Sequence, residues 1–183
     1  MIQHKGLGFT LLNFGVSIIM FRFLWIIILS TILLGCLDTT ELANSNNKTY
    51  WISESRAKKM HVKMVDEVNL LRAENGLNAI LINESLNLAA LAHSQDMYNQ
   101  DRAWHFGSDG SSPLERIARF GFIGELTGEN ISETYENDEL TLKAWMAKEN
   151  TRSIILDKDA IFMGLGWYQA ADGKIWWTQL FAK

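Results

Sequence analysis

Apolar and polar positions divide the chain into an apolar leader, a polar connector and a long patterned region. Residues 23–35 (FLWIIILSTILLG) form an apolar run directly after Arg22. Its length suits the hydrophobic segment of an export signal better than a full membrane span. Residues 37–52 open on a polar stretch without periodicity (LDTTELANSNNK) and read as a tether. Helical spacing begins after it. Residues 53–75 place Met60, Met64, Val68 and Leu71 on one stripe, with Val65 beside it and Gly76 as the stop. Asn83 can cap a second helix reaching about residue 99, whose apolar side holds Leu86, Ala90, His93 and Met97.

The middle of the chain, residues 105–130 (HFGSDGSSPLERIARFGFIGELTGEN), passes from a histidine through a Gly/Ser loop into a short helix and ends in a Gly-Glu-Asn turn. Ser112 and Glu115 stand three apart, as in a capping box, and Pro113 falls at the first helical position. Asp138 can cap a further helix to about residue 148, with Leu142, Trp145 and Met146 apolar, and residues 150–156 add another helical turn. Then the period changes. Residues 160–168 (AIFMGLGWY) and 174–181 (KIWWTQLF) are rich in β-branched and aromatic side chains, and Ala171-Asp172-Gly173 between them signals a hairpin. Gly164 and Gly166 project to one face, where their missing side chains let another element approach closely. The pattern is that of an α+β domain over residues 53–183.

An apolar share of 48% and seven tryptophans can fill a substantial core. The net charge of −4, with no Lys/Arg cluster, argues against a nucleic-acid partner. Cys36 is the only cysteine, so an exported domain would be held by its core without an intrachain disulfide. Leu33-Leu34-Gly35-Cys36 closes the apolar run and resembles a bacterial lipobox. That resemblance implies that residues 1–36 form a lipoprotein leader and that Cys36 carries diacylglycerol after cleavage, which places the protein on the extracytoplasmic side of the cell envelope. An uncleaved transmembrane anchor is the alternative, because residues 7–34 are apolar almost throughout. Met20 offers a second, more compact start.

Candidate chemistry is sparse. The chain has no GxSxG elbow, HExxH helix, Walker loop or Cys/His cluster, and the glycines of residues 107–112 read as turn chemistry. His105 and Glu129 are an imidazole and a carboxylate at the two ends of the central segment, and periodicity does not decide whether they meet. A Ser-His-Asp arrangement using Ser111 or Ser112 can be drawn, with little support from spacing. His93, on an apolar stripe, reads as a packed structural histidine. His61 reads as exposed, and Lys59, Lys63 and Glu67 as a solvated face.

From residue 62 to residue 181 these pieces also occur in the order found in one family. They are Asn75-Gly76-Leu77, then Leu86, Ala89, Ala92-His93-Ser94 and Asp96-Met97, then His105 with Asp109-Gly110-Ser111-Ser112-Pro113. Gly128-Glu129-Asn130-Ile131, Trp145-Met146, Gly164-Leu165-Gly166 and Trp177-Thr178-Gln179-Leu180-Phe181 follow. The chain resembles the CAP superfamily (cysteine-rich secretory proteins, antigen 5 and pathogenesis-related proteins), in its bacterial, cysteine-free branch. The resemblance implies an α-β-α sandwich, with a central antiparallel sheet flanked by helices and a surface cleft. In the family that cleft commonly holds two histidines and two glutamates that can take a divalent metal. His105 and Glu129 match one of each. Thr151 stands where the second histidine would be and Lys148 where the second glutamate would be.

A catalytic zinc usually needs three protein ligands, and here His105 is the one strong ligand at the matching positions. The implied expectation is no resident cofactor, and at most weak binding of a divalent metal. A membrane-tethered binding module for a lipid, glycan or envelope protein follows. The alternative is a divergent envelope hydrolase or peptidase using His105 and Glu129.

Overall fold

Ser53 opens the first helix, α1 (Glu54–Glu74), by accepting the amide of Arg56 on its hydroxyl. The computed structural model describes residues 49–183; the leader and Cys36 lie outside the described residues, as does the tether up to residue 48. The end of the tether is fixed to the domain: Ile52 N–H donates to Gln169 Oε1, and Gln169 Nε2 donates to the carbonyl of Tyr50. The stripe of α1 runs through Met60, Met64 and Val68 as expected, but its fourth buried member is Arg72 and not Leu71. A spacing of four carries the stripe from 68 to 72, and the guanidinium finds carbonyl acceptors inside.

The remaining elements are β1 (Leu81–Ile82), α2 (Glu84–Asn99), α3 (Pro113–Arg119), β2 (Leu126–Thr134), α4 (Asp138–Met146), α5 (Glu149–Ile155), β3 (Phe162–Gln169) and β4 (Ile175–Ala182). Their caps are local. Asn83 accepts the amide of Leu86, and Ser112 with Glu115 forms the reciprocal capping box that opens α3. α4 is capped by Asn137, one residue earlier than expected, which leaves Asp138 buried at the first helical position.

The sheet order is β1-β3-β4-β2, antiparallel except for the parallel β1–β3 pair. Two strands had no clear sequence signal. β1 is only two residues long, and the Gly-Glu-Asn segment, expected as a turn, lies inside β2. Gly, Glu and Asn are poor strand formers, so pairing along β4 overrides local preference here.

Side chains alternate across the sheet and build two cores. Met163, Leu165, Ile175, Trp177 and Phe181 face α1, α4 and α5, while Leu180 and Ala182 face α2 and α3. Trp177 and Phe181 share a face and are fully buried. Gly164 and Gly166 turn toward α2, where a Cβ would collide with the backbone of Leu86 and of Ala90–Leu91, so the helix rests directly on the strand. The result is an α-β-α sandwich.

Candidate functional site

β2 is an edge strand, and its successive residues reach opposite layers. Glu129 pairs in register with Leu180 and therefore faces α2 and α3, whereas Asn130 pairs with Gln179 and faces α5. Glu129 is 6% exposed, so its carboxylate needs partners. His105 supplies one, its Nδ1–H donating to Oε1 at 2.8 Å. Arg116 of α3 supplies the other, with Nη2 donating to Oε2 at 2.6 Å. This buried ion pair is charge-assisted and short. Nothing local in the sequence marks Arg116 as its partner.

Arg116 also fixes the loop that carries His105. Its Nη1 donates to the carbonyls of His105 (2.9 Å) and Ser111 (3.1 Å). From α2, Asp96 Oδ2 accepts the amide of Ser108 at 2.7 Å. The loop thus hangs on one arginine and one aspartate. The carboxyl of Asp109, held by the Ser111 hydroxyl and by Arg119, is pushed well below the usual carboxylate range.

His93 completes the cluster from below. It is fully buried, and its Nε2 lies 2.9 Å from the carbonyl of Trp104 and 3.9 Å from Glu129 Oε1. The carbonyl accepts, so Nε2 carries the proton and Nδ1 is left without a partner. Burial pushes the imidazole below its ordinary value, against the pull of Glu129, and keeps it neutral. His93 is packed, as its stripe position predicts, but it packs directly beneath the His105–Glu129 pair.

The other expected cleft residues behave differently. The Thr151 hydroxyl donates to the carbonyl of Trp145 at 2.5 Å, while the Thr151 carbonyl accepts from Asn130 Nδ2 at 3.1 Å. Lys148 precedes α5 as an exposed N-cap residue, with no ion pair among the described residues. His105 and Glu129 are joined by a hydrogen bond, and no hydrogen bond links either to Thr151 or Lys148. Ser112 is tied to Glu115 at 2.8 Å and Ser111 is buried, so neither hydroxyl is placed as a nucleophile for His105. His61, read as exposed, is half-buried: its Nε2 lies 2.9 Å from the Leu165 carbonyl and its ring rests against Trp167. Lys63, read as solvated, bonds Asp138 at 2.9 Å.

The sequence profile of the Cysteine-rich secretory protein family (CAP) matches residues 65–181. This chain belongs to that family.

It is 33% identical over 121 residues to the protein YkwD of Bacillus subtilis, an alignment covering 66% of this chain and 46% of that one. It is 25% identical over 136 residues to the B. subtilis membrane protein YlbC, covering 72% of this chain and 38% of the relative. The chain therefore spans under half the length of these curated relatives. An extracellular protein containing an SCP domain from Bacillus anthracis superposes with a TM-score of 0.63 at 21% identity, covering 73% of this chain and 45% of its own. An outer surface protein from Borrelia burgdorferi gives 0.59 at 17% identity, covering 69% and 92%. These two establish the fold of the CAP domain.

Chemically, the His105–Glu129 cluster presents one exposed nitrogen outside its hydrogen bonds, the Nε2 of a half-exposed His105, while His93 Nδ1 and Arg116 Nε are unpartnered but buried. Both Glu129 oxygens are occupied, and among the described residues no three His, Cys, Asp or Glu side chains stand together as a metal-binding set. The residues gathered around His105 and Glu129 do not fit a three-ligand catalytic zinc.

Proposed function

We propose that this chain is a membrane-tethered, extracytoplasmic CAP-domain protein that acts as a non-catalytic binding or interaction module. The observation that carries the reading is the buried Arg116–Glu129 pair. A carboxylate gripped by a guanidinium at 2.6 Å on one oxygen and by His105 on the other has both oxygens engaged, and it holds the loop in shape. His105 and Glu129 then serve as positioning residues that fix the loop shape. The apolar run ending at Cys36 supports attachment to the membrane, with Cys36 as the lipidated residue. The relatives described as extracellular, outer-surface and membrane proteins support the same compartment.

One observation favours the hydrolase alternative. His105 presents its Nδ1–H to a carboxylate and leaves Nε2 facing outward, as a general base would. The two readings separate on wild type and His105→Ala, tested for zinc binding by calorimetry and for hydrolysis of envelope-derived peptides and esters. A zinc Kd weaker than about 1 mM and no His105-dependent turnover are expected. Micromolar zinc binding, or turnover lost in His105→Ala, transfers the site to the hydrolase reading.

A further inference from the structure

We propose that the hollow between the end of α2 and the β3–β4 hairpin binds a saccharide, through a site separate from the His105 cleft. The inference goes beyond the binding-module reading and does not depend on it. The hollow measures about 280 Å³ and is lined by Tyr98, Asp101, Asp172, Lys174 and Trp176, with the Tyr168 ring tilted against Tyr98, their centres 4.5 Å apart.

Charge selects the class of ligand. Two carboxylates line the hollow, which disfavours an anion; Asp172 already accepts from the Lys174 amide and the Tyr135 hydroxyl, so Asp101 is the acceptor left for a ligand. The Lys174 ammonium sits 5.2 Å from the centre of the Trp176 ring and meets the demand for a cation from within the chain. What remains is a neutral ligand that needs acceptors, donors and a flat apolar surface together. A pyranose ring has vicinal hydroxyls to donate to carboxylates, ring oxygens to accept from an ammonium, and C–H faces to lie on an aromatic ring. Tyr98 is 39% exposed and supplies that ring, and its hydroxyl makes no hydrogen bond among the described residues. Trp176 is 1% exposed, yet its Nε1–H has no partner among the described residues. A buried donor left unmatched beside a hollow is a group that a bound acceptor or a held water would satisfy.

Asp101 points the same way. It follows the end of α2 with φ of 48°, the one non-glycine residue in the left-handed region among the described residues. The amide of Arg102 reaches back to the carbonyl of Met97, the closing bond of a helix C-terminus at which glycine is the usual residue. Asn and Asp tolerate this conformation, but glycine adopts it without a steric penalty. The fold alone would accept glycine here, and aspartate adds a carboxylate with no ion pair among the described residues.

That difference supplies a test free of folding artefacts. Full-length protein, solubilised in a detergent without a sugar headgroup, is titrated by calorimetry with chitotriose and with maltotriose. Saturable binding of at least one is expected. Asp101→Gly and Tyr98→Ala should each weaken it by about tenfold, the scale of one lost hydrogen bond to a charged group or one lost aromatic contact. The thermal midpoint of Asp101→Gly should be no lower than that of wild type. If it is lower, Asp101→Asn, which keeps the side-chain shape, takes its place in the titration. His105→Ala should bind as tightly as wild type. Absence of saturable heat with both probes overturns the proposal. So do Asp101 and Tyr98 variants that bind like wild type, or binding lost in His105→Ala.

Discussion

Arg72 is fully buried, and no carboxylate lies within ion-pair distance of it among the described residues. Its Nε donates to the Asn78 carbonyl at 2.9 Å, and Nη1 donates to those of Ile155 and Asp157, each at 2.8 Å. Nη2 reaches the Ala160 carbonyl at 3.3 Å. The Ile155 carbonyl belongs to the last turn of α5, where helical acceptors have no partner of their own. One side chain thus joins α1, the approach to β1, the end of α5 and the approach to β3. Three short bonds from a charged donor, at about 1.5 kcal/mol each, sum to about 4.5 kcal/mol. Arg72→Ala also leaves a void and stranded carbonyls, while relief of the guanidinium's desolvation offsets part of the loss. The net expectation is a loss of about 3–5 kcal/mol, a large share of the 5–15 kcal/mol typical of a domain. Arg72→Met fills the volume without satisfying the acceptors and should fall in the same range. Arg72→Lys should be intermediate, because one ammonium cannot span four carbonyls. Urea unfolding followed by tryptophan fluorescence measures all three. A loss under about 1 kcal/mol for Arg72→Ala, at unchanged m, would refute the reasoning.

Trp177→Ala should cost about 3–5 kcal/mol by the same assay, since the ring is fully buried in the core with Phe181. Burial alone would raise the Asp138 carboxyl, but its hydrogen bond to Lys63 and the charges of Lys63 and Arg56 hold it below the ordinary range. The unfolded chain therefore binds this proton more readily than the folded one, so the stabilisation is full above about pH 4 and lost as pH falls through the folded value. Asp138→Asn should flatten the acid limb of stability against pH. If α5 and the His105 loop share one cleft, zinc calorimetry on wild type, Thr151→His and Thr151→His with Lys148→Glu should show a stepwise gain, since imidazole and carboxylate replace a hydroxyl and an ammonium. No gain in the double variant means that α5 and the His105 loop do not share a cleft. Cys36→Ser should give an unprocessed precursor that takes up no labelled lipid, and failure of the wild type to incorporate that label would remove the lipid-anchor proposal.

What the sequence made legible was whatever is encoded within a turn or two of chain. The Asn83 and Ser112 caps, the Met60–Met64–Val68 stripe and the β3–β4 hairpin are all local, and the structure contains them. The close approach announced by Gly164 and Gly166 is there too, and the element that makes it is α2. What escaped was set by partners far along the chain. β2 is a strand because β4 offers it a ladder, and its own residues argue against it. Arg72 is buried because four carbonyls from three later segments converge on it, and a charged residue at a stripe position reads locally as a boundary. His61 and Lys63 left the solvated face for β3 and α4. At the candidate site, family order pointed to His105 and Glu129, while Arg116, which engages half of the carboxylate, gave no local signal.

Adjacent residues of β2 address different halves of the molecule, Glu129 the loop and α3, Asn130 the start of α5. A strand at a sheet edge, rich in polar residues, has little apolar patterning to stop it sliding along its neighbour. Here the alignment is policed by chemistry. A one-residue slip would drive the Glu129 carboxylate toward the aromatic side of the sheet, away from Arg116, and would withdraw Asn130 from the Thr151 carbonyl. Both losses would fall together. The edge strand thus has a single admissible setting, and the two flanks of the domain share that one mechanical reference.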